Sequence, residues 1–295
     1  MKKEHQKTLT FEIITPVVMA GTYKDEPELR IPSIKGMLRW WFRFFYASHN
    51  QSIDKLREHE NEIFGSTEKA CQFYMHLKYS QKLTDAYLAM NKRYGRYNNI
   101  KRKALEKNDT FRIDFIYSPF FTYKKELNTT LQLLSFLGGI GARWRRGFGS
   151  IQLKNGEDYK SFDKLKEKIE KVLKGKGEYH HDGFININNV DIYLVKPKRD
   201  NFWIDSLGAM NNLRKKVYKE FKSETNIKAI ACKPKGGSRA VSPLIIQIKK
   251  FSEGKFYGIL IVYNEWDKYE EFKNFINNNS ELSFEQLLKS KPRKI

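Results

Sequence analysis

The sequence has little cysteine and no long apolar segment. Its 295 residues include two cysteines, Cys71 and Cys232, which lie far apart in strand-like apolar segments, so neither a disulfide framework nor a zinc site is expected. We interpret both as buried thiols in a reducing compartment. No apolar run approaches the ~20 residues that cross a bilayer, and the first residues lack the apolar core of a signal peptide. These features predict a soluble, cytoplasmic protein with no membrane partner.

Acidic residues are also scarce. The chain has 34 Asp and Glu against 55 Lys and Arg, a net charge of +21 and a pI near 9.7. So large an excess of positive charge predicts a polyanionic partner, although charge alone does not separate RNA, DNA and anionic membrane. The length favours about two domains, and 40% hydrophobic residues supply enough material for two cores.

The glycine motifs that bind mononucleotides are missing, because no glycine-rich segment ends in Lys-Ser or Lys-Thr and opens a helix. Instead, a glycine-rich loop at residues 138–149 lies between a predicted helix and a predicted strand, with five glycines, three arginines and two aromatic residues. The guanidinium groups match phosphate oxygens, and the aromatic rings offer faces for a stacked base. These side chains are Arg143, Arg145, Arg146, Trp144 and Phe148.

Glycine has no Cβ, so the backbone of this loop can approach another molecule closely. We therefore predict that the loop contacts a nucleic-acid strand. The alternative is a glycine-rich turn with solvated arginines. The segment Arg146-Gly-Phe-Gly149 matches only the first half of the RNP1 signature of RNA-recognition motifs, because Ser150 and Ile151 follow it.

Hydrophobic periodicity predicts an α+β protein of two ferredoxin-like (RRM-like) βαββαβ domains in tandem, with insertions. The first domain spans residues 1–153, and its first helix opens at Pro32 with Ser33 as the N-cap. An insertion at 80–107 carries eight Lys and Arg against two acids; it is either a basic arm that orders on RNA or a solvated loop. The other elements expected are strands at 7–15, 71–79, 111–117 and 148–153 and helices at 53–64 and 125–137.

The second half repeats the pattern after a predicted linker at 154–183, which contains a short helix at 161–173. The second domain spans residues 184–295, and no closing strand is evident in its sequence. The tail from Leu282 is expected to form a short helix and a basic end. The elements expected before it are strands at 187–195, 241–250 and 255–263 and helices at 203–222 and 267–278.

Three segments of the first half carry a family resemblance. They are Ile14-Thr-Pro16 followed by Glu28-Leu-Arg-Ile-Pro-Ser-Ile-Lys-Gly-Met-Leu-Arg-Trp-Trp-Phe-Arg43, then Glu62-Ile-Phe-Gly-Ser-Thr67, and the glycine-rich loop. Together they resemble the RAMP superfamily of CRISPR-associated proteins and, within it, the first-numbered RAMP subunit of the type III-B Cmr effector complex. The resemblance is strong over residues ~7–153 and weak beyond, through Arg239-Ala-Val-Ser-Pro243.

The resemblance implies a pair of ferredoxin-like domains at one end of a ribonucleoprotein, beside other Cmr-complex RAMP subunits. It also implies contact with the 3′ end of the CRISPR RNA and with the target RNA, in antiviral defence. Target cleavage would belong to a different subunit, and no cofactor or metal is expected.

Two further basic groups are candidate RNA-binding sites. Lys35, Arg39 and Arg43 recur every four residues, so they form one ridge on the first helix, and the free N–H groups near Ser33 are a candidate anion site. The alternative for this ridge is a solvated face. Trp41 is expected in the core, and Trp40 faces either way. A second glycine segment, Gly236-Gly237, is flanked by Lys233, Lys235 and Arg239, and it contacts either RNA or a partner protein.

The competing hypothesis is catalysis, because some RAMP proteins are metal-independent endoribonucleases that use a histidine. No histidine lies in either glycine segment or at the start of the first helix. His180-His181-Asp182 resembles a metal pair without a third ligand, and a solvated loop is the preferred interpretation. We therefore predict a non-catalytic subunit; an assembly scaffold without RNA contact is the third possibility.

The exposed face of the first predicted sheet could touch RNA or a neighbouring subunit, or simply be polar. Its side chains are Tyr74, His76, Lys78 and Arg112.

Overall fold

The protein combines helices with two antiparallel four-stranded sheets, so the predicted mixture of α and β structure is confirmed. The computed structural model describes residues 5–21, 23, 26–80, 82–87, 92–93, 96–97, 101–154, 157–181, 184–221, 243–264, 269–279 and 282–289. Within these ranges, no helix has both the length and the apolar character to cross a membrane.

The first half follows the order β-α-β-β-α-β, with an extra helix and an inserted ribbon. Its sheet has the order β2-β7-β1-β8 and consists of β1 (Gln6–Ile13), β2 (Phe73–Tyr79), β7 (Thr110–Tyr117) and β8 (Ile151–Leu153). Three helices cover one face: α1 (Ile31–Tyr46), α2 (Ile53–Phe64) and α3 (Lys124–Leu137). These bounds lie within a few residues of the predicted ones.

The N-cap of helix α1 lies three residues earlier than expected. Arg30 is its N-cap, and Pro32 lies in the first turn, where its missing N–H costs nothing. The prediction of Ser33 as the N-cap is therefore wrong: Ser33 is inside the helix and exposed. The buried stripe of the helix packs into the core, and each large side chain removed from water there contributes about 2 kcal/mol. Its members are Ile34, Leu38, Trp41, Phe42, Phe44, Phe45 and Tyr46.

The insertion is a β ribbon at its base. Strand β3 (Leu83–Tyr87) pairs antiparallel with β6 (Lys101–Leu105), and β4 (Lys92–Arg93) pairs with β5 (Arg96–Tyr97). Ala86 and Ala104 are buried against the second half. The described base of the insertion is therefore paired β structure and not a solvated loop, and RNA binding by a basic arm stays a prediction.

The segment predicted as a linker is part of the packed structure. Its helix α4 (Phe162–Leu173) begins at the N-cap Ser161 and buries Leu165, Ile169 and Leu173, so the short helix is confirmed. Tyr159, just before it, is fully covered and hydrogen-bonded to Ser135 of α3 at 2.7 Å. Because the segment adds apolar side chains to the core, it does not act as a flexible connection.

The second half has the same element order. Its sheet has the order β10 (Leu244–Lys250), β11 (Phe256–Tyr263), β9 (Val190–Pro197) and β12 (Leu282–Leu288). The predicted helical tail is wrong, because residues 282–288 form the edge strand β12, which pairs antiparallel with β9. Pairing with a neighbouring strand overrides the helical propensity of this Glu- and Leu-containing segment. The helices are α5 (Trp203–Glu220) and α6 (Tyr269–Asn277).

One apolar core joins the two halves. It contains Phe11 and Trp41 of the first half together with Ile192, Ile245 and Ile259 of the second. Strand β10 faces the first half, since the Lys250 ammonium lies 2.8 Å from the Glu12 carboxylate of β1. The glycine-rich loop follows α3 directly and enters this junction.

Candidate nucleic-acid interface

The glycine-rich loop is closed at its base like a hairpin. Ile140 donates its N–H to Gly149 at 2.8 Å, and Gly149 donates to Pro16 at 3.0 Å. Thr15 accepts the N–H of Ser150 at 2.9 Å and donates its hydroxyl to Gly147 at 2.7 Å. Two of the segments that carry the family resemblance, Ile14-Thr-Pro16 and the loop, are therefore in direct contact.

The glycines permit close packing within the protein itself. Gly149 has φ +64°, and a Cβ there would lie 1.9 Å from the Ile140 carbonyl oxygen. A Cβ on Gly139 would lie 2.6 Å from the Gln247 side-chain oxygen. At these two positions the missing Cβ brings the loop backbone against the rest of the chain, not against an outside molecule as the sequence suggested.

Strand β10 of the second half holds the other side of the loop. Ile246 donates its N–H to the Arg145 carbonyl at 3.0 Å, and the Gln247 side chain donates to the Trp144 carbonyl. Ser150, at the end of the loop, donates its hydroxyl to Gln247 at 2.9 Å. The loop conformation is therefore fixed by both halves.

Lys249, also on β10, is a fully buried anchor for the same region. Its ammonium donates to the carbonyl oxygens of Ser135, Gly138 and Ile151, at 2.5, 3.2 and 2.7 Å. Two of these carbonyls belong to the end of α3, where helix carbonyls have no partner within the helix. Burial lowers the pKa of Lys249 well below that of an exposed lysine, because the charged form loses its water.

The side chains at the tip of the loop surround an aromatic cluster. The Arg145 guanidinium lies 5.6 Å from the ring centroid of Trp40 and 5.4 Å from that of Trp144, within cation–π distance. Trp40 and Trp144 are themselves in edge contact at 5.0 Å. Trp144, Arg143, Arg145 and Arg146 are all half-buried.

Phe148 does not offer a stacking face. Only 6% of its surface is exposed, and it packs in the core of the second half. The expectation that a base stacks on it is wrong, because the positive φ of Gly147 and Gly149 turns the chain inward around it. Trp41 is fully buried as expected, and Trp40 is half-buried.

A cavity of about 410 Å³ opens beside Arg145. It lies where α1, the start of α2, the glycine-rich loop and the second half meet, and its volume is in the range of small-molecule sites. The nine described residues that line it include two arginines and no acid: Trp40, Arg43, Phe44, Ile53, Leu56, Arg145, Phe184, Ile185 and Tyr263. The lining residues from outside α1 and the loop share no local sequence pattern, because they come from separate segments.

The ridge on α1 is largely bound within the protein. Arg39 donates to the buried Glu60 carboxylate at 2.7 Å and to the carbonyls of Phe64 and Gly65 at the end of α2. The Arg43 guanidinium lies 3.5 Å from the other oxygen of Glu60. Lys35 lies over the Phe73 ring at 5.8 Å. Glu60 was missed in the sequence, although it follows Leu56 by four residues on the buried face of α2.

The outer face of the first sheet carries the predicted Tyr74, His76, Lys78 and Arg112, all exposed. His76, Lys78 and Arg112 surround Asp114. Asp114 is 4% exposed and accepts a hydrogen bond from Thr8 at 2.7 Å and one from Arg112 at 3.0 Å. The hydrogen bond from Thr8, helped by Arg112 and Lys78, lowers the pKa of Asp114. The basic side chains of this face therefore surround one buried carboxylate, that of Asp114.

All six histidines lie in the described residues, and none of them lines the cavity. His181 is not in a solvated loop as expected: it is buried, and its Nε2 lies 2.8 Å from the Asn50 carbonyl oxygen and 3.0 Å from that of Ala47. His180 is exposed. In the part of the chain that the structure describes, no group of three metal-ligating side chains is close enough to hold an ion.

The second glycine segment, with Lys233, Lys235 and Arg239, lies outside the described residues, and so does Cys232. The RNA-binding assignments of Ser33, Lys35, Arg39, Arg43 and the loop arginines stay predictions. Of these residues, the structure brings only Arg43 and Arg145 to one cavity.

The model of the RAMP superfamily matches residues 10–154, from β1 through the glycine-rich loop to β8. These residues belong to the RAMP superfamily. This confirms the resemblance inferred from the three segments, and it places the loop, the α1 ridge and the Asp114 face within the RAMP region.

Two relatives of this chain are CRISPR system Cmr subunits of Pyrococcus furiosus. Cmr1-1 is 30% identical over 179 residues, which are 52% of this chain and 52% of the relative. Cmr1-2 is 26% identical over 178 residues, which are 50% of this chain and 95% of the relative. The aligned region thus spans about half the length of Cmr1-1.

Solved structures extend the similarity of fold beyond the RAMP region. The apo crystal structure of Cmr1 from Pyrococcus furiosus matches with a TM-score of 0.65 at 22% identity, over 95% of this chain and 98% of that one. A chain in a cryo-EM structure of the type III-B Cmr-beta complex, bound to cognate target RNA and AMPPnP in the presence of ssDNA, matches with a TM-score of 0.58 at 13% identity. That match covers 91% of this chain and 99% of the other. Both halves therefore have the fold of these chains.

Proposed function

We propose that this chain is a non-catalytic, RNA-binding subunit of a type III-B Cmr complex. It helps to hold the 3′ end of the CRISPR RNA, the target RNA, or both, beside other Cmr-complex RAMP subunits. The proposal is supported by the named Cmr subunits among its relatives, by the net charge of +21 and by the arginine-bearing loop.

The observation that carries the proposal is the position of Arg145. Its guanidinium lies over two tryptophan rings at the edge of a cavity, on a loop that both halves hold in place. Guanidinium groups beside aromatic rings are the common means of binding single-stranded RNA, since the cation meets phosphate while the rings meet bases.

We also propose that both halves are ferredoxin-like domains, the first spanning residues 1–153 and the second 184–295. Numbered within each half, the four strands take the order 2-3-1-4 in an antiparallel sheet, with the helices in the two crossover connections. This is the βαββαβ plan that the sequence periodicity predicted.

The salt dependence of RNA binding tests the proposal. The affinity of the purified chain for a single-stranded RNA is measured across salt concentrations, for wild type and for Arg145→Ala with Arg146→Ala. Each phosphate that the protein no longer neutralises reduces the slope of log affinity against log salt by roughly 0.7 on single strands. We expect the slope of the double variant to fall by about 1.4 if both side chains bind phosphate.

The matched control removes two cations from the exposed face of α4, Lys164→Ala with Lys171→Ala. It changes the net charge by the same amount, so an unchanged slope in this control shows that the loop acts through local contact. An unchanged slope in the loop variant would exclude the loop from the RNA site. Wild-type protein that binds RNA without salt dependence would contradict the proposed function as a whole.

A further inference from the structure

The cavity beside Arg145 has walls that suit one flat, apolar molecule. Trp40 and Phe44 of α1 stack on each other with ring centroids 5.5 Å apart, and Phe184 and Ile185 line the cavity from the second half. Ile53 and Leu56, from the start of α2, complete the walls. Aromatic and aliphatic walls of this kind favour an occupant with an apolar face.

The charged groups of the cavity are both positive. Arg43 and Arg145 contribute guanidinium groups, and the described residues that line the cavity include no carboxylate of their own. Arg43 is half exposed although it contacts Glu60, so it can turn toward an anion at the mouth. An occupant with an apolar face and an attached negative charge fits both the apolar walls and the two guanidinium groups.

We propose that this cavity holds one unpaired base of a single-stranded RNA, with its phosphate beside Arg43 and Arg145. This inference rests on the proposed RNA-binding function and names the part of the RNA that the site takes. The side-chain polar groups of the lining are two guanidinium groups, the Tyr263 hydroxyl and the indole N–H of Trp40. Recognition is therefore mainly by packing, and the site accepts any of the four bases.

Ile53 gives a direct way to block the cavity. It is the first residue of α2, lines the cavity and is 41% exposed. Ile53→Glu places a carboxylate at the mouth without removing a core side chain. Ile204→Glu is the matched control, because Ile204 is an isoleucine in the first turn of α5, is 43% exposed and does not line the cavity.

The probe is an RNA of about six nucleotides, a length within the site size of single-strand binders. One position carries a base, the fluorescent 2-aminopurine, and the other positions are abasic. A fully abasic strand of equal length measures the phosphate contacts alone. We expect wild type and Ile204→Glu to quench the emission at saturation and to bind the one-base strand about tenfold more tightly than the abasic one. We expect Ile53→Glu to lose both the quenching and this preference.

Equal quenching by Ile53→Glu and wild type would overturn the cavity as the base site. Wild type that binds both strands equally, with bright emission, would overturn it too while leaving the proposed function intact, because phosphate contact would remain. Wild type that binds neither of these strands nor ordinary RNA would overturn both the cavity as the base site and the proposed RNA-binding function. If Ile53→Glu instead binds RNA like wild type but fails to copurify with another Cmr subunit, the cavity takes a protein side chain and the proposal is wrong.

Discussion

The ridge on α1 and the glycine-rich loop carry the same kind of side chain in different surroundings. On the ridge, Arg39 and Arg43 meet the buried carboxylate of Glu60, and Arg39 also binds the end of α2. In the loop, the Arg145 guanidinium lies over the rings of Trp40 and Trp144 at the cavity edge. The two places are close, since Arg43 and Arg145 line the same cavity.

The difference shows that a basic pattern in a sequence mixes two roles. A guanidinium beside a buried carboxylate stabilises the fold, because the carboxylate would otherwise be buried without a partner. Under the proposed function, a guanidinium over aromatic rings at a cavity meets the phosphate of the RNA. Mutation should separate the two roles: Arg39→Ala should change stability, and Arg145→Ala should change RNA binding.

The largest expected effect is the loss of stability in Arg39→Ala. Glu60 is 6% exposed and would lose its 2.7 Å partner, and two helix-end carbonyls would lose a donor. We expect a loss of about 3 kcal/mol in the free energy of unfolding, measured with urea. Arg43→Ala, at a half-exposed position, should cost less than about 1 kcal/mol. Equal losses of unfolding free energy in the two variants would show that the more exposed Arg43 stabilises the fold as much as Arg39 does.

A smaller loss is expected for Lys249→Met, which tests how the second half supports the loop. Methionine keeps the shape but leaves the carbonyls of Ser135, Gly138 and Ile151 without their donor, at a cost of about 2 kcal/mol. Amide hydrogen exchange over residues 138–149 should become faster. Lys250→Met, at the next and partly exposed position, is the control and should leave that exchange unchanged. Unchanged exchange in both variants would show that the loop is held without Lys249.

The smallest effect concerns Asp114, a carboxylate that holds the cations of the outer sheet face. Its pKa is lowered from the ordinary 3.8 by the hydrogen bond from Thr8 and by Arg112 and Lys78. The folded protein therefore binds fewer protons at this site than the unfolded chain. The contribution of Asp114 to stability is present above pH 3.8 and is lost as the pH falls through the lowered pKa of the folded state.

Replacing the carboxylate should remove that contribution. We expect Asp114→Asn to be less stable than wild type by about 1 kcal/mol at pH 7 and nearly equal to it at low pH. Urea unfolding at several pH values measures the difference, and Asp54→Asn, at an exposed position on α2, is the control. A difference that stays constant with pH would mean that the charge of Asp114 is irrelevant to stability.

Much of the fold follows from periodicity in the sequence. Alternation identified β1, and the apolar stripe identified α1, because their buried residues lie on one face of a regular element. Strand β12 was missed, since Leu282–Leu288 has no strong alternation and becomes a strand only by pairing with β9. The start of α1 was misplaced because Pro32 and Ser33 fit either side of the boundary.

The site was predictable only in part. The glycine-rich loop is conspicuous in the sequence, but the role of its glycines is internal packing, which depends on Ile140 and Gln247. The cavity is assembled from α1, α2, the loop and the second half, so no local pattern marks it. Glu60 had a detectable signal: an acid on the apolar face of α2, opposite a ridge of arginines.

Photocrosslinking tests the central claim, that RNA meets this protein at the junction between its halves. The full chain is bound to a single-stranded RNA that contains 4-thiouridine, irradiated and analysed for crosslinked peptides. We predict crosslinks on Trp40, on Trp144 and on the peptide that contains Phe184 and Ile185, and their loss in Arg145→Ala with Arg146→Ala. Crosslinks confined to the outer sheet face around Tyr74, unaffected by that double variant, would contradict the account.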